Sequence, residues 1–326
     1  MDKCPPAATG PDTEYEVLPP ADTETDTENT EIRWILDHIR YKLIVMSGKG
    51  GVGKTSVAVA LALTLARRGF TVGLMDADLH GPDVFRMLGL GLPLDLFHAQ
   101  YNLPAEFFHN LKVVSIEAMM KDREAAVIWR GAIKHKIIRQ FLTEVNWGPL
   151  DFLVIDCPPG TGDEPLSVAL TIPEAQAVLV TTPQEISLSD VRRSMQFCHK
   201  VNLPILGVVE NMDHVVCPNC ARAISLFRSV SGAQSVQSLG LNLLGALPFD
   251  SQVVEAADAG RLLEFDTSQS PFFQAFNQVT DSILLHLGQP QPLKNLPSRE
   301  PDVLKFAIPI DDGKLSGQFS QGQQFA

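Results

Sequence analysis

Between Tyr41 and Asp76 the chain reads as an apolar run, YKLIVM, a glycine-rich loop, SGKGGVGKTS, an alanine- and leucine-rich stretch, VAVALALTLARR, and a second apolar run, FTVGLMD. That order predicts strand, loop, helix, strand. The two short runs are continuously apolar, and the middle stretch is too long for one strand. Arg67 and Arg68 in its last turn and Gly69 just beyond give the helix a C-terminal stop. Runs of the same kind follow in DFLVID, AVLVTT, PILGVVEN and LNLLGALP, separated by helix-like segments. Strands apolar along their whole length are buried on both faces, so the expected fold is α/β, a mostly parallel sheet flanked by helices.

Around this core the sequence divides into four parts. Residues 1–30 are rich in Pro, Thr and acids without apolar periodicity, and are expected to be a disordered acidic tail. Residues 31–288 form the main domain, ending in the amphipathic segment SQSPFFQAFNQVTDSILLHLG. Residues 289–302, QPQPLKNLPSREPD, read as an extended linker. Residues 303–326 begin a strand and turn that are too short to bury a core, and are expected to be the opening of a second α/β domain or an arm that docks elsewhere.

The net charge is −12, but nine acids against Lys3 put −8 of it in residues 1–31, leaving −4 for everything else. Without a basic excess, a nucleic-acid partner is not expected. The polar, acidic N-terminus does not resemble a signal peptide, and no apolar run reaches the roughly 20 residues of a membrane span. We therefore expect a cytoplasmic protein with no membrane partner. Five cysteines spread over 326 residues do not make a disulfide framework.

The loop Gly48-Lys49-Gly50-Gly51-Val52-Gly53-Lys54-Thr55 matches G-x-x-x-x-G-K-[ST], in the strand-to-helix setting that gives this pattern meaning. Backbone N–H groups from Gly48 through Ser56 can turn toward phosphate oxygens and the helix N-terminus adds its dipole. Lys54 can reach the β and γ phosphates, and Thr55 can ligate Mg²⁺. A second lysine, Lys49, is not required by this pattern and could be a solvated surface residue. Asp76 ends the second apolar run, Asp78 follows it, and Asp156 ends DFLVID. Carboxylates at the C-termini of parallel strands face the ligand crevice, so Asp156 is expected to hold Mg²⁺ through water. For Asp76, capping the following helix is an equal alternative.

Cys217 and Cys220 in CPNC, expected on a loop after the PILGVVEN strand, supply two thiolates at a metal-ligand spacing, where zinc and iron-sulfur centres ordinarily take four ligands. Cys4, Cys157 and Cys198 lack ligand spacing. A two-fold dimer would complete the count, and a redox or structural pair fits the same spacing.

Lys49 at the second loop position resembles the deviant Walker A of the MinD/ParA-like class of P-loop ATPases, in which that lysine contacts nucleotide phosphates, often across a dimer interface. Together, GKGGVGKTS, DADLHGPD, VIWRGAIKHKIIRQFL, DFLVIDCPPGTGDEPLS, TTPQEISLSDVRRS and ENMDHVVCPNC resemble the Mrp/ApbC-type iron-sulfur cluster carrier ATPases over about residues 41–288. The resemblance implies a homodimer that binds ATP and Mg²⁺, holds a labile [4Fe-4S] cluster between Cys217 and Cys220 of both subunits, and passes it to apo iron-sulfur proteins. It implies catalytic roles for Lys49, Lys54 and Asp78, with Asp78 positioning the attacking water. By the same resemblance Asn211 contacts adenine, Pro248 lines the base pocket, and the Pro158–Gly162 turn senses the γ phosphate. The chain departs from the family at Trp129-Arg130-Gly131-Ala132, where WRGP is usual, and has Cys4 alone in place of an N-terminal four-cysteine motif. Residues 303–326 resemble the start of a dinitrogenase iron-molybdenum-cofactor-type domain, with Gln318 where a histidine is often found. The alternative is a MinD/ParA-like positioning ATPase without a metal centre. It would need an amphipathic membrane helix or a basic surface.

Overall fold

The computed structural model describes residues 23–79, 81–90, 105–107, 110–115, 131–217, 219–220, 222–227, 236, 238–293, 310–311 and 314–315. In chain order the first half comprises α1 (Thr23–Asp37), β1 (Ile39–Met46), α2 (Lys54–Arg67), β2 (Val72–Asp76), α3 (Val84–Leu88), β3 (Ala105–Phe107), β4 (Leu111–Ser115), α4 (Gly131–Thr143) and β5 (Leu150–Asp156). The second half comprises α5 (Asp163–Thr171), β6 (Gln176–Thr181), α6 (Glu185–Lys200), β7 (Ile205–Glu210), β8 (His214–Val216), β9 (Ala223–Ser225), β10 (Leu243–Ala246), α7 (Ser251–Asp258) and α8 (Pro271–His286). Two short strands follow, β11 (Ile310–Asp311) and β12 (Lys314–Leu315).

One sheet runs β10-β7-β6-β1-β5-β2-β4-β3, parallel throughout except for β3, which pairs antiparallel with β4 at the edge. Side chains alternate between two cores. Leu43, Val45, Phe152 and Val154 pack with α2, α3, α7 and α8, while Ile44, Met46, Leu153 and Ile155 pack with α1, α4, α5 and α6. Burial on both faces is why these strands read as unbroken apolar runs. In α2 every residue from Val57 to Ala66 is buried, so the helix is an inner layer and not a surface one. A change such as Leu61→Ala there would cost about 2–5 kcal/mol.

The chain leaves β1 through α2 to β2 on one side and returns from β5 through α5 to β6 on the other. The strand order therefore reverses at the C-terminal end of β1, where open α/β sheets bind ligands.

The expectation of disorder through residue 30 needs correction, because α1 starts at Thr23. Its last turns bury Ile32 and Leu36 against the second core, and Arg139 of α4 pairs with Glu28 at 3.0 Å and with Asn29 Oδ1 at 2.8 Å. Helical amphipathicity over residues 28–36 was hidden by the acidic composition. The rest of the tail lies outside the described residues. The chain divides into a unit ending at Pro292 and a second from Leu293, of which a β11–β12 antiparallel pairing is described. No helix among the described residues is long and apolar enough to cross a membrane.

Candidate nucleotide site and cysteine hairpin

The loop between β1 and α2 closes around Gly53, whose φ of 79° is left-handed. A side chain there would be strained, and its Cβ would collide with Asn211 Nδ2, which donates to the Val52 carbonyl at 2.9 Å. At Gly48 a Cβ would stand 2.5 Å from the Asp190 carbonyl, so α6 approaches the loop's start backbone to backbone. Ser47 completes the frame, its hydroxyl donating to the Lys49 carbonyl at 2.8 Å and its own carbonyl accepting from Gly160 N–H at 2.8 Å.

Lys54 is buried in a nest of carboxylates. Its Nζ lies 2.6 Å from Asp156 Oδ1 and 3.7 Å from Asp78 Oδ2. Burial alone would lower the Lys54 ammonium, but Asp156, Asp78 and Asp76 together hold it above its ordinary value. Thr55 donates to the other Asp156 oxygen at 2.8 Å. Burial holds Asp156 above its ordinary value, and Lys54 and the Thr55 hydroxyl offset only part of that rise. The Thr55 hydroxyl and the Asp156 carboxylate are hard oxygen donors side by side, a set that suits Mg²⁺.

Asp76 does the work of a cap. One oxygen accepts from Asp78 N–H at 3.1 Å, and the other from Ser115 Oγ at 3.0 Å and from Val84 N–H, the first residue of α3, at 3.4 Å. Burial, then the neighbouring Asp156, raises its carboxyl well above the usual range. Asp78 reaches forward, accepting from Gly81 N–H at 3.3 Å.

A cavity of about 460 Å³ opens over the loop. Its floor includes Gly50, Gly51, Gly53, Lys54, Thr55 and Ser56, and Asp78 and Pro159 stand at its edge. Sequence reasoning missed the far wall, built from α3 and α7 and including Arg86, Val253, Val254 and Asp258. The only sequence signal for it was the amphipathic SQVVEAAD after LPFD. Neither Asn211 nor Pro248 is among the described residues lining this cavity. Asn211 braces the loop from behind, and Pro248 is buried before the exposed Phe249. Lys49 is turned away too, 3.2 Å from Gln184 Oε1 and 3.9 Å from Asp190 Oδ2.

The cysteine pair sits at the tip of an antiparallel hairpin, β8 and β9, which is more order than the simple loop expected from sequence. Cys217 N–H donates to the Arg222 carbonyl at 2.9 Å, closing the turn. The backbone N–H groups of Asn219 and Cys220, and then the Cys220 thiol, hold Cys217 below the ordinary thiol value. Burial does the opposite elsewhere: Cys198 is pushed up to about 12, and Cys157 is raised further. Of these three, Cys217 is the one suited to serve as a thiolate ligand. His214 pairs with Asp213 Oδ2 at 2.9 Å.

The ParA family model, described as NUBPL iron-transfer P-loop NTPase, matches residues 38–284. The chain belongs to that family. An iron-sulfur cluster carrier protein of Saccharolobus solfataricus is 43% identical over 256 residues, covering 78% of this chain and 86% of the relative. The cytosolic Fe-S cluster assembly factor CFD1 of Candida albicans is 37% identical over 297 residues, 82% of this chain and 97% of the relative. Among solved structures, a nucleotide-binding protein from Archaeoglobus fulgidus in complex with ADP matches with a TM-score of 0.64 and 33% identity, covering 76% of this chain and 96% of that one. Membership of this P-loop NTPase family agrees with the resemblance drawn from the motifs, and the parallel sheet agrees with the expected fold class.

Proposed function

We propose that the protein is an ATP-hydrolysing carrier of iron-sulfur clusters, a homodimer that holds a labile [4Fe-4S] cluster between the Cys217 and Cys220 pairs of two subunits and delivers it to apo iron-sulfur proteins. The observation that carries this reading is the hairpin tip with half-buried Cys217, its thiol lowered, and exposed Cys220, in a chain similar to relatives named as carriers. One chain offers two thiolates here, and among the described residues no group of three or more His, Cys, Asp and Glu side chains is gathered to hold a metal. A second copy supplies the other two. The hairpin's surroundings suit such a cover: Ile224 and Leu226 are 54% and 43% exposed, and Phe249, bridged to Val215, is 37% exposed.

In the nucleotide cycle, Thr55 and, through water, Asp156 would hold Mg²⁺, which would supply positive charge to the phosphates. Lys54, paired with Asp156 at 2.6 Å in the nucleotide-free chain, is the residue placed to meet the β and γ phosphates. Asp78 orients the attacking water, and Lys49 leaves Gln184 to contact phosphate in the dimer. Coupling to the cluster runs along the chain itself. Asn211 is fixed to Val52, Met212 follows at a left-handed φ of 58°, Asp213 N–H is held by the Leu247 carbonyl, and β8 then leads to Cys217. A shift of the loop therefore reaches the cysteines within six residues.

Anaerobic reconstitution with iron and sulfide, followed by metal and sulfide analysis, tests this reading beside a Cys217→Ser/Cys220→Ser variant. One four-iron cluster per wild-type dimer and none in the variant is the expected result. A wild type that holds only zinc, or no metal, refutes it.

A further inference from the structure

The site as described is short of positive charge for a polyphosphate. Among the described residues, five ionisable side chains line the cavity, namely Lys54, Arg86, Asp78, Asp83 and Asp258. Lys54 is already engaged by Asp156 and Asp78, and Lys49 is held by Gln184 and Asp190 outside the cavity lining. Arg86 differs from both. It is exposed, it lines the cavity from the last turn of α3, and among the described residues its side chain has no hydrogen bond or ion pair. The ordinary role for an arginine at a helix C-terminus is to bind the last carbonyls, yet the Arg86 guanidinium makes no such bond.

We propose that Arg86 is a nucleotide ligand, supplied by the same subunit, whose guanidinium binds the phosphate chain of Mg-ATP. This rests on the nucleotide reading of the site given above. A guanidinium presents paired N–H donors that match phosphate oxygens, and a charge-assisted bond in a recessed cavity is among the stronger ones. The placement also gives the contact a trigger. The chain from Asp78 to Val84, the first residue of α3, is tied at both ends to the carboxylate of Asp76. A movement of Asp78 toward nucleotide carries α3, and Arg86 with it, over the phosphates. A cis arginine then serves each active site independently of the lysine that the dimer brings.

Calorimetric titration of the full chain with Mg-ATP tests this in wild type, Arg86→Gln and Arg86→Lys, with nucleotide-free melting curves beside it. Arg86→Gln should weaken Mg-ATP binding roughly tenfold to hundredfold, the value of one charge-assisted bond. Arg86→Lys should fall between, since it keeps the charge and loses the fork. Both should melt like wild type without nucleotide. Equal affinity of Arg86→Gln and wild type overturns the proposal. So does a lowered nucleotide-free melting point with the two variants equally weak, because that is the mark of a structural role. A wild type that binds no Mg-ATP is a different failure, which removes the nucleotide reading and Arg86 with it.

Discussion

Asp76 and Asp156 are register partners on the adjoining strands β2 and β5, both fully buried, and Lys54 is the cation that acts on both. Two carboxylates side by side in a core are tolerated because an ammonium and several N–H and O–H donors are aimed at them. Lys54→Ala should therefore do more than abolish nucleotide binding. At pH 7.5 it should cost about 3–5 kcal/mol of stability, the usual result of leaving buried charge uncompensated. With Lys54 gone, both carboxyls rise further above their unfolded values, so the folded variant binds more protons and its stability falls as pH rises. Urea denaturation at pH 5.5 and 7.5 should show the larger deficit at 7.5. An equal deficit at both would mean the lysine does not neutralise this pair.

Gly53→Ala places a methyl group at a φ of 79° and onto Asn211 Nδ2. The expected loss is about 1–3 kcal/mol, together with loss of Mg-ATP binding. Adding Asn211→Ala removes the collision and leaves the backbone strain, so the double variant should regain part of the stability and none of the binding. Full recovery of binding would show that the φ angle is not what shapes the loop.

Met212→Gly tests the chain path from loop to cysteines. Glycine adopts a φ near 58° without strain, so the fold should be little affected and ATP hydrolysis should continue. In wild-type apoprotein the alkylation rate of Cys217 and Cys220 should change when Mg-ATP is added, and in the variant it should not. If the response survives, the signal travels by another route.

Glu210 ends β7 beside Asn211, where burial, helped by the charge of Asp213, pushes its carboxyl up to about 7 from an ordinary 4.5. The folded state then holds a proton that the unfolded state has lost, so stability contributed here is present below pH 4.5 and declines as pH rises through 7. Glu210→Gln should remove that decline and gain on wild type between pH 5 and 8 in denaturant titrations. Parallel pH profiles would show that Glu210 is ionised throughout.

Much of this was legible in the sequence because it depends on local order. Strand, loop and helix around Lys54 are adjacent in the chain, and the strand ends at Asp76 and Asp156 are marked by apolar runs that stop at an acid. What was not legible depends on elements meeting across the sheet. The α3–α7 wall with Arg86 and Asp258 joins segments far apart in the chain, and α1 is helical because residues distant in sequence cover it. The hairpin bearing Cys217 carries no strand signal, because three-residue strands are too short to show a period. The hydrogen bond from the Asn211 amide to the Val52 carbonyl is likewise a contact between segments far apart in the chain, which no local pattern announces.

The parallel sheet has one further consequence. The loop after β1, the acids ending β2 and β5, and the segment after β7 that becomes the cysteine hairpin all leave the sheet at the same end. On the proposed reading, whatever comes to collect cargo from Cys217 and Cys220 would arrive on the side where fuel is bound. Loading, inspection and release would then share a single doorway, and a visitor would not reach one without meeting the state of the other.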